Sequence, residues 1–423
     1  MIFHKIRGMR RSLFLTGFGA LLAAVVFIGA AAQAAEIYAW TQFTGEGLEA
    51  RVVTSEAACP KAAIDGSDAQ MNIRARPNGD FPALVCSLAI PKNAREASIN
   101  GRPLALPPPR AQKILLIGDT GCRLQMMMLQ ACNFIKDWPF RLAADTAAEM
   151  APDLVIHVGD LVYRERACPD SNKGCAGSPY GDNWDTWKAD VFEPGRALLS
   201  AAPWVFIRGN HEDCDRSRAG WNRFASPLPF TEGTCSRQEP PYLVDLGGIA
   251  LAVLDVTQAE DRAVNDALAP LFRQQFVSLA KTEAPLWIAM HKPIYASVRI
   301  KDGVNVGVNK TLAAATRGAV PANAQLLLSG HIHTFQAMSY SSDLPAQIVA
   351  GHGGTTLDRF TPEKLDGVAM DDAKVEKGIG LNNRFGFATL ERRDDEWLLT
   401  SFGVHGEQLA RCHLRGKKLD CEP

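Results

Sequence analysis

Five short clusters of polar side chains along this chain could bind metal ions. They are Asp119-Thr120-Gly121, Gly159-Asp160 with Tyr163 three residues later, Gly209-Asn210-His211-Glu212, His291, and Gly330-His331-Ile332-His333. Carboxylates, imidazoles, an amide and a phenol are all recognised metal ligands in proteins. One such cluster alone says little, because a Gly-Asp pair is often only a turn. Five clusters, each directly after an apolar run, indicate a single shared site.

The apolar runs are short, and helical patterns separate several of them. Those that precede the clusters are Ile114–Ile117, Leu154–Val158, Trp204–Ile207, Leu286–Met290 and Leu326–Leu328. Helix-spaced apolar residues lie at Trp187–Ala201 and Asp266–Lys281. Buried strands that alternate with helices indicate an α/β core. In such sheets ligands bind beyond the carboxyl ends of the strands, so the clusters should meet at one place.

In this order the clusters resemble the metallophosphoesterase (calcineurin-like) superfamily, and within it most of all the purple acid phosphatases. The subfamily pattern is Asp-x-Gly, Gly-Asp-x-x-Tyr, Gly-Asn-His-Glu/Asp, Val-x-x-His and Gly-His-x-His. This chain departs from it only at Ile288, which replaces the Val. The match runs from Lys113 to about Gly354. The resemblance implies an α/β (α+β) fold, a four-layer α/β/β/α sandwich.

The resemblance also implies two metal ions, which share Asp160. One ion would be held by Asp119, Tyr163, His333 and Asp160, and the other by Asn210, His291, His331 and Asp160. Related enzymes with an Asp-x-His motif have a histidine where this chain has Gly121, and Tyr163 would replace that ligand. A phenolate is a hard anionic ligand, which favours Fe(III) beside a divalent Zn, Mn or Fe ion. The alternative is that Tyr163 is a packed aromatic residue beside a divalent site.

By the same resemblance the protein would be a metal-dependent phosphoric ester hydrolase of the acid phosphatase type (EC 3.1.3). It would hydrolyse a small-molecule phosphate monoester by in-line attack of a metal-bound hydroxide. His211 would stabilise the phosphoryl group and protonate the leaving oxygen. Glu212 would orient His211 or else make a surface contact, and His352 would reach the phosphate from the rim of the site.

Three other functions are compatible with the same motifs. A phosphodiesterase or nucleotidase would use the same metal centre with a different rim. A non-hydrolytic protein would bind a partner and keep a vestigial site, although the complete ligand set argues against this. A redox role for the iron is a further alternative.

The N-terminus predicts export. Basic residues at Lys5, Arg7, Arg10 and Arg11 precede an uncharged run that ends in Ala32-Gln33-Ala34, the pattern that a signal peptidase accepts. We therefore expect a signal peptide over 1–34, a periplasmic or secreted protein, and no stable membrane insertion after cleavage. An uncleaved anchor is the alternative.

The ten cysteines fall into neighbouring pairs, which is typical of a disulfide-bonded protein in an oxidising compartment. The pairs are Cys59 and Cys86, Cys122 and Cys132, Cys168 and Cys175, Cys214 and Cys235, and Cys412 and Cys421. The alternatives are buried thiols in a reduced chain or a thiolate metal site, although no Cys-x-x-Cys occurs.

The composition suggests a globular protein with one main domain and a smaller module. The 423 residues include 45 Lys and Arg against 46 Asp and Glu, so that nothing favours nucleic acid as a partner. Alternating runs separated by Gly, Pro and Asp predict a small β-rich N-terminal module over 35–108. A proline-rich stretch at Pro107–Arg110 then leads into a catalytic domain over 109–423. The oligomeric state is left open.

Overall fold

Many short strands and few helices make up the chain, which we describe from a computed structural model of residues 36–126, 128–301 and 304–422. The predicted signal peptide lies outside these described residues. The strands, in chain order, are β1 (Ile37–Thr44), β2 (Gly47–Thr54), β3 (Ala62–Ile64), β4 (Ser67–Ala69), β5 (Asn72–Ala75), β6 (Leu84–Ile90), β7 (Ala97–Ile99), β8 (Arg102–Pro103), β9 (Lys113–Ile117), β10 (Leu124–Gln125), β11 (Met128–Leu129), β12 (Leu154–His157), β13 (Trp204–Phe206), β14 (Tyr242–Asp245), β15 (Ala250–Val253), β16 (Leu286–Ala289), β17 (Arg299–Lys301), β18 (Val304–Val306), β19 (Ala324–Ser329), β20 (Phe335–Tyr340), β21 (Ala346–Ala350), β22 (Ala369–Met370), β23 (Ala373–Leu381), β24 (Gly386–Arg393), β25 (Glu396–Gly403), β26 (Gln408–Arg415) and β27 (Lys418–Glu422).

The helices are short. The α-helices are α1 (Phe140–Glu149), α2 (Trp184–Trp187), α3 (Arg196–Ala201), α4 (Arg218–Gly220), α5 (Ala269–Leu279) and α6 (Lys310–Thr316). Two π-helices span Lys188–Phe192 and Trp221–Ala225, and a 3₁₀ turn spans Asn210–Glu212, among the residues that are described. The helical pattern predicted over Trp187–Ala201 forms two helical segments, Lys188–Phe192 and α3, rather than one continuous helix. Residues 193–195 interrupt it, because Pro194 has no N–H to donate and Gly195 favours a turn.

Two large sheets carry the clusters. The first has eleven strands in the order β27-β26-β25-β24-β9-β12-β13-β1-β2-β6-β5, and the second has eight in the order β14-β15-β16-β19-β21-β20-β23-β22, within the described chain. Neighbours β9, β12 and β13 are parallel. Strands β15, β16, β19 and β21 are parallel too. Parallel neighbours end at the same edge, which brings the residues after each strand together.

The sheets pack face to face, and side chains alternate between two cores. In β9, Ile114 and Leu116 lie in the core between the sheets. Leu115 and Ile117 point to the outer face, where α1 and α3 pack. The outer face of the second sheet is covered by α5 and α6. This arrangement confirms the predicted four-layer α/β/β/α sandwich, and it explains why these strands are apolar throughout.

The N-terminal segment is β-rich, as predicted, but it is joined to the first sheet. Strand β1 pairs in parallel with β13, with Gln42 opposite Trp204. It also pairs antiparallel with β2, which continues the sheet to β6 and β5. Residues 36 to 423 form one compact unit. The division into a module over 35–108 and a domain over 109–423 stays a prediction.

All five predicted disulfides are present, so that the nearest-neighbour pairing is confirmed. Three of them close loops beside the clusters: Cys122–Cys132, Cys168–Cys175 and Cys214–Cys235. In the part of the chain that the structure describes, no helix combines the length and apolar character needed to cross a membrane.

Candidate metal centre

The ends of five strands place the predicted ligands in one buried cluster. Asp119 follows β9, Asp160 follows β12, and Asn210 lies in the turn after β13. From the second sheet, His291 follows β16, while His331 and His333 follow β19. One ligand atom from each of Asp160, His291 and His331 lies within 4.8 Å of the other two. The two sheets therefore contribute to the same cluster.

The Tyr163 hydroxyl lies between the two carboxylates. It is 2.8 Å from Asp119 Oδ1, 2.6 Å from Asp160 Oδ2 and 3.1 Å from His333 Nε2. His333 Nε2 is in turn 3.4 Å from Asp119 Oδ1. Side chains from three strand ends thus converge on one phenolic oxygen, as the first predicted ligand set requires.

The backbone at this edge adopts an unusual conformation. Asp119, Asp160 and His331 have positive φ angles of 54°, 57° and 69°. Non-glycine residues rarely occupy this region, and they do so mainly where the surrounding structure enforces it. The glycines beside them permit close approach, because a Cβ added at Gly330 would lie 2.4 Å from Asp119 Oδ2.

Gly121 leaves no room for the histidine of the Asp-x-His motif. A Cβ added there would lie 2.7 Å from Leu161 O, 2.8 Å from Tyr163 N and 2.9 Å from Asp190 Oδ2. Asp190 is fully buried, and its Oδ2 accepts a hydrogen bond from Tyr163 N (3.2 Å). The backbone that carries Tyr163 therefore fills the space in which a side chain at position 121 would begin.

We expect Gly121→Ala to lower the free energy of unfolding by about 2 kcal/mol, because the new methyl group overpacks against backbone atoms. Urea unfolding of the two proteins measures the difference. Gly79→Ala is the matched control, since nothing lies within 4 Å of its Cβ position. It should change stability by less than about 0.5 kcal/mol. Equal effects at the two positions would contradict the packing argument.

Two of the histidines are oriented by backbone carbonyls. His291 Nδ1 lies 2.7 Å from Val158 O, and His333 Nδ1 lies 2.9 Å from Thr356 O. A carbonyl can only accept, so each Nδ1 is the donor, and in the neutral ring Nε2 keeps its lone pair. Hydrogen bonds of this kind commonly orient metal-binding histidines. Both Nε2 atoms face the carboxylates.

The electrostatics of the cluster favour a positive charge. Burial by itself lowers the pKa of His291, but the attraction of Asp160 and Asp119 outweighs it and raises the pKa to about 9. Burial and the negative charges of Asp119 and Asp160 raise the pKa of the Tyr163 phenol well above its usual range. The phenol thus keeps its proton unless a cation displaces it.

The donors present fit two metal ions. Asn210 Oδ1 and His291 Nε2 are buried and have no hydrogen-bond partner, although His291 Nε2 lies 3.1 Å from Asp160 Oδ2 without the alignment of a hydrogen bond. Buried polar atoms are nearly always paired, so these two atoms without a hydrogen bond indicate a ligand. Carboxylate, phenol, amide and imidazole donors suit iron, zinc or manganese.

Glu212 has a role different from the expected one. Its carboxylate is fully buried and accepts hydrogen bonds from four backbone N–H groups. Oε2 accepts from Asp160 N (3.0 Å) and Gly209 N (3.0 Å). Oε1 accepts from Leu161 N (2.8 Å) and Val162 N (3.2 Å). Glu212 therefore holds the turn that carries Asp160; it neither orients His211 nor makes a surface contact.

The partner of His211 is Glu165, which the sequence analysis missed. Glu165 Oε1 lies 2.6 Å from His211 Nδ1, although the N–H does not point along the contact. On its other side, His211 Nε2 lies 3.9 Å from Asp160 Oδ2, which places the ring at the cluster. Glu165 and His211 are distant in the sequence, so that no motif pointed to this contact.

Asp261 was also missed. Its Oδ2 lies 3.2 Å from His331 Nε2, and its Oδ1 accepts from Asn309 Nδ2 (2.7 Å). It lies in the loop after β15, a strand whose end carries none of the predicted ligands, so that no motif pointed to it.

His352 does not reach the rim. It is fully buried, neither ring nitrogen has a partner, and its ring packs 5.5 Å from that of Phe335. The neighbouring Gly351 is the residue that abuts Asp119, because a Cβ there would lie 2.9 Å from Asp119 Oδ2. The side chain of His352 is therefore a packed one, and the expected contact with phosphate is not compatible with this position.

Two buried neutral histidines should make the fold sensitive to acid. Burial lowers the pKa of His352 to about 3, and it lowers that of His157 to the same value. The unfolded chain binds these protons below about pH 6.5, whereas the folded chain does not. Stability is therefore nearly full above pH 6.5 and falls with decreasing pH, by about 2.5 kcal/mol for each histidine at pH 4.5. Urea unfolding at pH 7 and 4.5 measures this loss. In His352→Gln the loss should be smaller by about 2.5 kcal/mol, and an unchanged loss would contradict the assignment.

Comparisons with known proteins agree with this geometry. Residues 112–335 match the family model of the calcineurin-like phosphoesterases. The structure of purple acid phosphatase PPD1 from yellow lupin (Lupinus luteus) seeds is 13% identical with a TM-score of 0.56, and the match covers 89% of this chain and 72% of that one. The structure of PhoD is 11% identical with a TM-score of 0.50, and the match covers 91% of each chain. No curated protein matches the sequence significantly.

These structural likenesses show a shared fold, and the family match covers more than half of the chain. The predicted resemblance to metallophosphoesterases is confirmed, with a fold similar to that of a purple acid phosphatase. All the predicted ligands, from Asp119 to His333, lie within the residues that the family model spans. The chain belongs to the calcineurin-like phosphoesterase family.

Proposed function

We propose that this protein is an exported phosphohydrolase with two metal ions, which hydrolyses phosphate monoesters in the manner of an acid phosphatase. The observation that carries the proposal is the Tyr163 hydroxyl, 2.8 Å and 2.6 Å from the carboxylates of Asp119 and Asp160. A phenolate at this place makes one half of the site suitable for a hard trivalent ion.

The proposed ligands divide into two sets that share Asp160. Asp119, Tyr163 and His333 would hold Fe(III), and Asn210, His291 and His331 would hold a divalent Zn, Mn or Fe ion. When bound, the two ions supply the positive charge that attracts a phosphate ester, and they lower the pKa of water.

The remaining residues assist the reaction from the protein side. His211, whose Nε2 faces Asp160, donates a proton to the leaving oxygen of the ester. Glu165 Oε1 lies 2.6 Å from the opposite nitrogen of the ring, Nδ1, so that Nε2 is the nitrogen left facing the site. Glu212 keeps the Asp160 turn rigid through its four backbone hydrogen bonds.

Export is supported by the basic and apolar N-terminal sequence and by five disulfides, which persist in oxidising compartments. Mass spectrometry of the mature protein recovered from the periplasm or medium tests this part. A chain that begins near Ala35 is expected, and a chain that retains residues 1–34 would contradict it.

The visible absorption spectrum of the air-oxidised, metal-loaded protein tests the metal assignment. We expect a broad charge-transfer band that is absent in Tyr163→Phe. Tyr295→Phe is the matched control, since the Tyr295 hydroxyl bonds to Asp372 and not to a predicted ligand. A colourless protein that is fully metal-loaded and active would contradict the Fe(III) assignment.

Rates on p-nitrophenyl phosphate and bis(p-nitrophenyl) phosphate test the substrate class. A kcat/KM at least tenfold higher on the monoester is expected for a phosphatase. A preference for the bis-ester would replace the proposal with a phosphodiesterase that uses the same metal centre.

A further inference from the structure

Arg123 places a cation beside the metal centre. Its Nη1 lies 3.5 Å from His333 Nδ1, and its guanidinium carbon lies 5.8 Å from the centroid of the Tyr163 ring. Because His333 Nδ1 already donates to Thr356 O, the approach of Nη1 is not a hydrogen bond. The only side-chain acceptor that the described residues offer the guanidinium is Gln125 Oε1, 2.8 Å from Nε. Its terminal N–H groups are therefore left for another acceptor.

Three other arginines near the cluster are paired with carboxylates. Arg164 pairs with Asp190, Arg208 with Asp255 at 3.1 Å, and Arg216 with Glu165 at 3.7 Å. Among the described residues Arg123 takes part in no salt bridge, although its side chain is partly buried. A partly buried cation without an anionic partner in the protein is available to an anionic ligand.

The position of Arg123 is fixed by its backbone. Its N–H donates to Gln130 Oε1 (2.9 Å), and its carbonyl accepts from Gln130 N (2.8 Å). Gln130 is buried and its Nε2 donates to Gly354 O (2.8 Å), which ties the loop to the region after β21. The Cys122–Cys132 disulfide closes the same loop. A cation held in this way is preorganised for a ligand.

A series of side-chain contacts links Arg123 to His211. Gln125, which accepts from Arg123 Nε, donates through Nε2 to Glu165 Oε2 (2.9 Å). Glu165 Oε1 then lies 2.6 Å from His211 Nδ1. The residue proposed to protonate the leaving oxygen and the unpaired guanidinium are thus positioned by one network.

We propose that Arg123 binds the non-bridging oxygens of the phosphoryl group and selects monoesters over diesters. The inference rests on the proposed phosphohydrolase function. A planar guanidinium can bind two phosphate oxygens at once. A monoester dianion offers three non-bridging oxygens and two negative charges, whereas a diester offers two oxygens and one charge. A cation beside the metal pair therefore favours the monoester.

Arg123→Gln and Arg123→Lys test the proposal in the metal-loaded full chain. We expect Arg123→Gln to lower kcat/KM on p-nitrophenyl phosphate by about 10- to 100-fold, as for a lost hydrogen bond to a charged group. The rate on bis(p-nitrophenyl) phosphate should change less than about threefold, so that the monoester preference collapses. Arg123→Lys should restore part of the loss, since it keeps the charge but not the two-pronged geometry.

Arg166→Gln is the matched control. Arg166 lies in the same region, but its Nη1 donates to Met126 O and to none of the predicted ligands. The control should match the wild type on both substrates. Equal losses on the two substrates in Arg123→Gln, or a loss of bound metal in that variant, would overturn the proposal, because Arg123 would then act only through His333.

Titration with inorganic phosphate separates this inference from the proposed function. Calorimetry of the metal-loaded protein should show phosphate binding weakened about tenfold or more in Arg123→Gln. If the wild type hydrolyses neither ester, the proposed function fails, and the phosphate affinities still decide whether Arg123 is a phosphate ligand. Equal phosphate affinities in Arg123→Gln and the wild type would overturn the proposal that Arg123 binds phosphate.

Discussion

Replacing Glu212 with glutamine is expected to lower the free energy of unfolding by about 3 kcal/mol or more and to abolish metal binding. The reason is that both oxygens of the buried carboxylate accept from two backbone N–H groups each. In either orientation, the amide of glutamine would point an NH₂ group at two N–H donors. Two donors then lose their acceptor, and each buried unsatisfied group costs about 1–3 kcal/mol.

Urea unfolding and metal analysis measure this prediction. Glu165→Gln is the matched control, because Glu165 is partly exposed and accepts from side chains rather than from the Asp160 turn. It should alter stability by less than about 1 kcal/mol and leave two metal ions bound. If Glu212→Gln were as stable as this control, the turn would not depend on the carboxylate.

Replacing Asp160 with asparagine is expected to remove both metal ions and to lower kcat/KM by about a thousandfold or more. Asp160 is the one side chain assigned to both metal ions. Its Oδ2 lies 2.6 Å from the Tyr163 hydroxyl on one side and 3.1 Å from His291 Nε2 on the other. An amide keeps the shape but removes the negative charge that two neighbouring cations need between them.

Asp261→Asn is the comparison variant, because it should lose one metal ion whereas Asp160→Asn should lose both. Asp261 contacts only His331 among the predicted ligands, through Oδ2 at 3.2 Å. Loss of such an outer partner typically weakens metal affinity by about 10- to 100-fold. Metal analysis at limiting metal should therefore find none in Asp160→Asn and one in Asp261→Asn. Retention of both ions in Asp160→Asn would contradict its assignment as the shared ligand.

The strand-end positions could be predicted because the physics behind them is local. Each apolar run that is buried on both faces must be a strand in a covered sheet, and parallel strands end at one edge. Asp119, Asp160 and His291 were placed on that basis, together with the family pattern. The Cys122–Cys132 disulfide could be predicted too, since neighbouring cysteines in an exported chain usually pair.

The partners of these residues could not be predicted, because they depend on which side chains face each other across the two sheets. Glu212 accepts from a turn about fifty residues earlier in the chain, and the donors are backbone N–H groups that carry no sequence signal. His352 and Gly351 are adjacent, yet only Gly351 faces Asp119. The N–H of Gly351 donates to Thr334 O (3.1 Å), a contact with a separate loop that no local sequence pattern predicts.

The pairing of β1 with β13 has a practical consequence for any shortened form of the protein. Strand β13 ends at the turn that carries Asn210, and β1 is its neighbour on the side away from β12. A fragment that starts at residue 109 would lack β1, so that the backbone N–H and C=O groups on that edge of β13 would be unpaired. Unpaired strand edges can pair with other chains and cause aggregation. The hairpin of β1 and β2 therefore protects the edge of β13 from pairing with other chains. Any fusion, truncation or graft of the metal centre must include this hairpin.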